Sequence, residues 1–157
     1  MNSITDLLDL EDASISISSI DIEGQTKTIY LETAPEARFC PCCGFRMHSR
    51  ETKNRKINHP ILQDNYKLVL ILKQRRWRCT NPDCLYDISD SFKFVSKNRR
   101  TTNATDMLIV DAYRNLDESS ASISKRFHVS DTYAHDVFDR YVKLDRLPLT
   151  DAVSVDE

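Results

Sequence analysis

Apolar and polar residues alternate along the first part of the chain with the two-residue period of a β-strand. The alternation covers residues 15–22, with a phase shift at Ser18-Ser19, and it resumes over residues 27–32 after a Glu23-Gly24 turn. Two alternating runs joined by a short turn predict a β-hairpin, and the phase shift predicts a β-bulge at the serine pair.

The middle of the chain contains one long strand pattern. Residues 66–78 begin with consecutive apolar residues and end in charged ones, which predicts a strand buried on both faces at its start and exposed at its end. Residues 92–95 predict a short final strand. Residues 45–65 show no regular period, and Pro60 disfavours a helix through that point.

From Thr102 onward the period becomes that of a helix. The predicted apolar face of this first helix consists of Met107, Leu108, Ala112 and Leu116. A break at residues 117–119 separates it from a short second helix, which we predict at residues 120–127.

A three-residue turn follows the second helix. Ser130 is a good N-cap for a third helix. In that helix the apolar residues Ala134, Val137, Phe138 and Tyr141 recur at helical spacing. A short helix, a tight turn and a longer helix are the plan of a helix-turn-helix, and the preceding helix would complete a three-helix core. His128 stands where glycine often stands in such turns, so we expect it to adopt an unfavourable backbone angle.

The chemistry of the chain is concentrated in its cysteines. Cys40 and Cys43 form a CxxC turn, and Cys79 and Cys84 have four residues between them. Two such pairs can place four thiolates around one ion, which is the usual arrangement of a closed structural zinc site. Cys42 is the spare fifth cysteine, because leaving it out spoils neither spacing.

Other interpretations of these cysteines stay open. Four thiolates also suit an iron–sulfur cluster, and the same residues can be buried thiols or a redox pair. His48 and His59 are alternative ligands, although each is more often a polar loop residue. Two short turns far apart in the sequence favour the zinc-ribbon interpretation.

The net charge of −2 hides a strong asymmetry along the chain. Residues 38–100 contain 15 Lys and Arg against 5 Asp and Glu, whereas residues 101–143 contain 5 against 7. The positive potential therefore belongs to the half that carries the cysteines, and it favours binding to nucleic acid over a merely solvated charged face.

Two sets of residues are the predicted DNA contacts. Phosphate contacts are expected from Arg55, Lys56, Arg75, Arg76, Arg78, Lys97, Arg99 and Arg100. The third helix would present Thr132, Tyr133, His135, Asp136 and Arg140 to the major groove. The acidic residues of that helix oppose this role, and a helical bundle that serves as a linker or dimer contact is the alternative. Trp77 is expected in the core.

The whole pattern predicts an α+β protein. A small β-rich, zinc-ribbon-like DNA-binding domain covers residues 14–100, and a three-helix helix-turn-helix domain covers residues 101–147. An acidic segment at residues 1–13 lacks the features of a signal peptide, and the longest apolar run, residues 68–72, is too short to cross a bilayer. Clustered cysteines favour metal or redox chemistry over disulfides, so we expect a cytoplasmic location without membrane contact.

These motifs resemble the N-terminal region of the ISL3-type insertion-sequence transposases, where a zinc-finger segment precedes a helix-turn-helix. The matching segments are Cys40-Pro41-Cys42-Cys43-Gly44, Arg75-Arg76-Trp77-Arg78-Cys79, Asn81-Pro82-Asp83-Cys84 and Ser124-Lys125-Arg126-Phe127-His128-Val129-Ser130. The resemblance extends from about Phe39 to the end of the chain. It implies a DNA-binding fragment that recognises the terminal inverted repeats of a mobile element, with double-stranded DNA as its partner and a homodimer as one assembly that it allows.

The resemblance also implies that a catalytic domain of RNase H-like fold begins at residues 148–157. In that family a DDE set of carboxylates binds two Mg2+ ions and cuts DNA, and Asp156, next to Glu157, matches the place of the first carboxylate. Because two-metal chemistry needs several converging carboxylates, we expect this chain alone to be inactive and Mg2+ to act only in a full-length relative. A transcription regulator complete as it stands, or a protein-interaction adaptor that uses the acidic ends, are the alternatives.

Overall fold

The computed structural model describes residues 8, 10, 12–34, 36–60 and 66–143. Its strands are β1 (Ile15–Glu23), β2 (Thr26–Thr33), β3 (Met47–His59), β4 (Lys67–Cys79) and β5 (Asp87–Ser89). Its helices are α1 (Asn103–Ala112), α2 (Ser120–Phe127) and α3 (Asp131–Tyr141). The protein is therefore α+β, as predicted. Asp156 and the predicted start of a catalytic domain lie outside the described residues, as does most of the acidic N-terminal segment.

β1 and β2 form the hairpin that the sequence predicts. Gly24 adopts a φ of +56° in the turn, a left-handed angle that glycine tolerates without a steric penalty. The register of the hairpin shifts between Ile17 and Ser19, so the predicted bulge at the serine pair is confirmed.

The sheet joins elements that are distant in the sequence. Its order is β1-β2-β4-β3, and β5 pairs with the last part of β4. β2 and β4 run parallel over residues 26–31 and 67–72, whereas the other pairs are antiparallel. β4 is therefore the central strand, with β2 beside its first half and β5 beside its second half.

β4 buries opposite faces at its two ends. Successive residues of a strand point to opposite faces. Leu68, Leu70 and Leu72 point to one face and pack in the larger core, whereas Trp77 and Cys79 point to the other face and pack in a second, smaller core. Val69, on the opposite face from Leu68 and Leu70, is 1% exposed, so the predicted burial on both faces at the start of the strand is confirmed.

Two strand predictions are wrong. Residues 47–59, which showed no regular period, form the 13-residue strand β3, because pairing with β4 imposes extended backbone on a polar sequence. Residues 92–95 form a turn with a single bridge between Phe92 and Val95 instead of a strand. Their apolar side chains fold over the larger core, so burial and not strand pairing explains that pattern.

α1 begins at the predicted position but buries a different face. Thr102 caps its N-terminus by accepting from the Thr105 N–H, and the buried residues are Thr105, Asp106 and Ile109. The predicted apolar face is largely exposed, because Met107, Leu108 and Leu116 are 54%, 44% and 99% exposed. Ala112 is half-buried against the helical core.

α2 and α3 follow the sequence prediction closely. α2 spans the predicted residues 120–127, Ser130 caps α3 by accepting from the Tyr133 N–H, and His128 adopts a left-handed φ of 54° and ψ of 42°. The three helices share a small core made of Ile109, Ile123, Ala134 and Val137. Of the remaining predicted apolar positions, Phe138 is half-buried and Tyr141 is exposed.

The helices are attached to the end of β3 through Asn58. The Asn58 N–H donates to the Arg100 carbonyl at 2.7 Å, and its carbonyl accepts from the Thr102 N–H at 3.1 Å. The Asn58 side-chain amide donates to the His128 carbonyl at 3.3 Å. One β3 residue thus connects the sheet both to the start of α1 and to the turn between α2 and α3.

Candidate metal centre and nucleic-acid interface

The two cysteine pairs meet at one end of the sheet. The Sγ atoms of Cys40, Cys43, Cys79 and Cys84 all lie within 4.8 Å of one another. Cys79 is the last residue of β4 and pairs with Met47, the first residue of β3, so the strands themselves bring the two halves together. The predicted convergence of four thiols is therefore confirmed.

Each half of the cluster is shaped by short backbone hydrogen bonds. In the first turn the Gly44 N–H donates to the Cys40 carbonyl at 2.9 Å, and Gly44 has a φ of +74° that favours glycine. In the second turn the Cys84 N–H donates to the Asn81 carbonyl at 3.1 Å, and the Asn81 N–H donates to Cys79 Sγ at 3.4 Å. N–H donors aimed at sulfur stabilise thiolate ligands.

The spacing of the sulfur atoms fits a tetrahedral ion. Zn–S bonds of about 2.3 Å in a tetrahedron place sulfur atoms about 3.8 Å apart. The Cys40 and Cys84 Sγ atoms are 3.7 Å apart, and those of Cys43 and Cys79 are 3.4 Å apart. Cys40 and Cys79 are buried and the other two are half-buried. Four protein thiolates would complete the tetrahedron around an ion and leave no ligand position open. This donor set can hold a metal ion such as zinc.

In the absence of a bound cation, the pKa values of three thiols of the cluster shift in different directions. Burial raises the pKa of Cys40, but hydrogen bonds from the Cys42 and Cys43 backbone outweigh burial, and the net pKa falls to about 7. Burial raises the pKa of Cys79 to about 12. The backbone hydrogen bond from Tyr86 lowers the pKa of Cys84, but burial and hydrogen bonds with the Cys40 and Cys43 thiols together outweigh it, so the net pKa is raised. A divalent cation is what would bring all of them to the thiolate form.

The fifth cysteine and the two alternative histidine ligands stand outside this cluster. Cys42 is exposed, which agrees with its prediction as the spare thiol. Neither His48 nor His59 belongs to the four-atom cluster. His59 instead shares a 3.0 Å hydrogen bond with the Thr102 hydroxyl beside α1.

A buried carboxylate binds the tryptophan that packs against the cysteine cluster. Trp77, which packs with Cys40, Met47 and Cys79, is 7% exposed, as predicted for a core residue. Its indole N–H donates to Asp90 Oδ1 at 2.8 Å, and Asp90 is 3% exposed. No pattern in the sequence marks Asp90, because its partners are set by tertiary contacts between β4 and the chain beyond β5.

The predicted basic residues of the sheet lie on two different faces. Arg76 and Arg78 point to one face of β4, whereas Arg75 points to the other, together with Lys56, which is paired with Ile71 in the register. The pattern of consecutive arginines could not show this division, because it follows from the pleat of the strand.

Arg55, one of the predicted phosphate contacts, instead binds the backbone of the connector that follows the turn at residues 92–95. The Arg55 guanidinium donates to the carbonyls of Ser96 and Arg99, the former at 2.7 Å. Burial lowers the pKa of Arg55. Lys97 and Arg100 are exposed on this connector, and Arg99 is half-buried.

The predicted contacts on the third helix also divide into two groups. Thr132 and His135 are exposed, as are the acidic residues Asp131, Asp136 and Asp139. Tyr133 and Arg140 instead turn inward to the buried Asp106: the Tyr133 hydroxyl donates to Oδ1 at 2.7 Å, and the Arg140 guanidinium lies 3.3 Å from Oδ2. Burial raises the pKa of Tyr133. The exposed face of α3 thus carries three acidic residues and no lysine or arginine.

A second ion-pair group lies beside the cysteine cluster, on the face that carries Arg76. Asp87 Oδ1 accepts from Arg76 Nε at 2.7 Å, and Arg50 lies 3.7 Å from the other oxygen. The Asp87 carboxylate raises the pKa of Arg76. The sequence analysis missed Asp87 and Arg50, because Arg50 reaches this face through a register shift between Ser49 and Glu51 that leaves no pattern in the sequence.

Comparisons of the chain with protein families, with curated proteins and with solved structures found no match. Among the described helices, none is long and apolar enough to cross a membrane.

Proposed function

We propose that this chain binds double-stranded DNA through a β-rich unit that is held rigid by a structural Zn2+. The ion would be bound by Cys40, Cys43, Cys79 and Cys84, in a zinc-ribbon-like arrangement. The observation that carries the proposal is that these thiols close on the end of β4, the strand that carries Arg76 and Arg78. A metal there would fix the end of a basic strand without taking part in a reaction.

We further propose that the chain acts as the DNA-binding region of an ISL3-like transposase. Its role would be to recognise and dock on the terminal inverted repeats of its own element. The succession of α2, the left-handed His128 and the capped α3 supports a helix-turn-helix in the same chain. Binding to DNA would depend strongly on salt, because cationic side chains release counterions from the phosphates.

The experiment combines metal analysis with a gel shift. Protein purified with Zn2+ should contain one ion per chain, should bind inverted-repeat duplexes, and should lose affinity steeply as salt rises. The variant Cys84→Ser should lose both the ion and the binding, whereas the matched control Cys42→Ser should keep both. Metal-loaded protein that binds no duplex at low salt would refute DNA binding. Preference for a discrete operator over the repeats would instead favour a transcription regulator.

A further inference from the structure

The sheet has an open polar face beside the cysteine cluster. This face, called here the open sheet face, comprises His48, Arg50, Glu51, Lys53, Arg76, Arg78, Asp87 and Ser89. All of these side chains are exposed or half-exposed. Four of them are cationic at neutral pH and two are anionic, so the face is positive overall.

One arginine on this face is held in a defined orientation. Arg76 uses its Nε–H to donate to Asp87 Oδ1 at 2.7 Å, and its side chain is 50% exposed while that of Asp87 is 20% exposed. A contact through Nε leaves the two terminal NH2 groups of the guanidinium directed away from Asp87. Those two groups form the fork that binds guanine O6 and N7 in the major groove.

The dimensions of the face match the major groove. β4 pairs here with β5 on one side and with β3 on the other. The major groove, about 12 Å wide, admits a two-stranded β-ribbon such as β4 with β5, whereas the minor groove, about 6 Å wide, is too narrow for one. Arg76 and Arg78 are two residues apart, about 6.7 Å along the strand, which is close to two base-pair steps of about 3.4 Å.

The helix α3 is the competing candidate for the major groove. Its exposed face carries Asp131, Asp136 and Asp139, which repel phosphates, and two of its predicted contacts, Tyr133 and Arg140, are bonded to Asp106. The open sheet face has no comparable obstacle, since its two acidic groups are each paired with a cation.

We infer that the open sheet face, and not α3, reads the DNA sequence, with Arg76 as the residue that recognises guanine and Asp87 as the residue that positions it. This inference rests on the proposed DNA binding and adds which surface specifies the site. Arg78 would contact the base pair two steps along from the one that Arg76 reads. Arg50 and Lys53, both on β3, would contact phosphates at one edge of the groove.

The test starts from selection of preferred sites. The full chain, loaded with Zn2+, selects duplexes from a random pool, and its affinity is then measured for the selected duplex and for duplexes changed at each base pair. Wild-type protein should discriminate by about 10- to 100-fold at one G·C pair. Arg76→Ala should abolish that discrimination at that pair alone, and Arg76→Lys should restore it in part.

Asp87→Asn separates positioning from folding. Because the variant removes a negative charge, it should bind random duplexes as well as or better than wild type while losing most of the discrimination at the same base pair. If Asp87 had only a structural role, Asp87→Asn would lower both the affinity for random duplexes and the discrimination at that base pair. Arg114→Ala, in the turn that follows α1, where the side chain is 81% exposed, is the control and should change neither. Metal content and circular dichroism confirm that each variant is folded.

The possible results distinguish this inference from the proposed function. If Arg76→Ala weakens binding to all duplexes equally and leaves every preference intact, Arg76 is a phosphate contact and the inference fails, while DNA binding stands. If discrimination depends on Thr132 or His135 instead, α3 reads the sequence and the inference also fails. If metal-loaded wild-type protein binds no duplex, both proposals fail.

Discussion

The Trp77 indole N–H donates to the Asp90 carboxylate at 2.8 Å, and both side chains are buried beneath the cysteine cluster. The same carboxylate accepts from the Arg75 backbone N–H at 3.0 Å and lies 2.8 Å from the Arg38 guanidinium. Asp90 therefore joins β4 and Trp77, the only tryptophan of the chain, to Arg38, which stands two positions before Cys40.

Replacing Asp90 should destabilise the protein more than its size suggests. Asp90→Asn removes the charge that faces Arg38 and turns one acceptor oxygen into a donor group, so either the Trp77 indole N–H or the Arg75 backbone N–H loses its acceptor. We expect a loss of about 2–3 kcal/mol in the free energy of unfolding, less than for a fully buried ion pair because the Arg38 side chain is 41% exposed.

Urea unfolding of the metal-loaded protein measures this effect. Asp21→Asn in β1 is the matched control, because Asp21 is exposed, and it should change stability by less than about 0.5 kcal/mol. Equal stability of the two variants would show that the Asp90 contacts contribute little.

Removing the metal should loosen one end of the molecule and leave the helices folded. Trp77 packs with Cys40, Met47 and Cys79 in the smaller core, whereas the helices have a separate core around Ile109 and Ile123. A chelator should therefore shift the Trp77 fluorescence to longer wavelength, while circular dichroism at 222 nm stays nearly constant. Loss of both signals in one transition would mean that the two cores unfold together.

The sequence predicted the elements that local chemistry determines. The hairpin with its bulge, the long strand β4, the bounds of α2, the cap Ser130 and the left-handed His128 all depend on residues close together in the chain. The convergence of the four cysteines was predictable as well, because two turns of ligand spacing have few other uses.

The elements that were missed depend on tertiary pairing. β3 is a polar sequence that becomes a strand because β4 lies beside it, and the division of Arg75 and Arg76 between two faces follows from its register. For α1, the helical spacing of the apolar residues predicted the wrong face as the buried one. The buried face contains Thr105 and Asp106, which are bonded to Thr102 and to the Tyr133 hydroxyl of α3, and no hydrophobic period marks such residues.

This reversal of the α1 face gives a direct mutational test. Ile109 is fully buried, so Ile109→Ala should cost about 2–4 kcal/mol through lost burial and a cavity. Leu116 is 99% exposed, so Leu116→Gln should change stability by less than about 0.5 kcal/mol. Thermal unfolding of both variants measures the difference. Leu116 follows the end of α1 at Ala112, so a larger loss for Leu116→Gln would show that this segment packs as the apolar pattern predicted.

Acidification should weaken metal binding with a steep and predictable slope. The pKa values of Cys79 and Cys84 are raised above the ordinary thiol value of 9.0, the former to about 12, so both thiols carry protons at pH 6–8 in the metal-free protein. Binding a cation as thiolates releases those protons. The logarithm of the binding constant should therefore rise by at least two units for each unit of pH, and competition with a chromophoric chelator measures it.

The slope should be steepest below pH 7. Cys40, with a pKa of about 7, is mostly protonated there and must also release its proton, whereas above pH 7 it is already mostly a thiolate. Protons thus compete with the cation for the thiolates at low pH. The part of the stability that depends on the metal is therefore lost as the pH falls. Cys42→Ser should leave the slope unchanged, because that thiol is outside the cluster. A slope near zero would contradict ligation by Cys79 and Cys84.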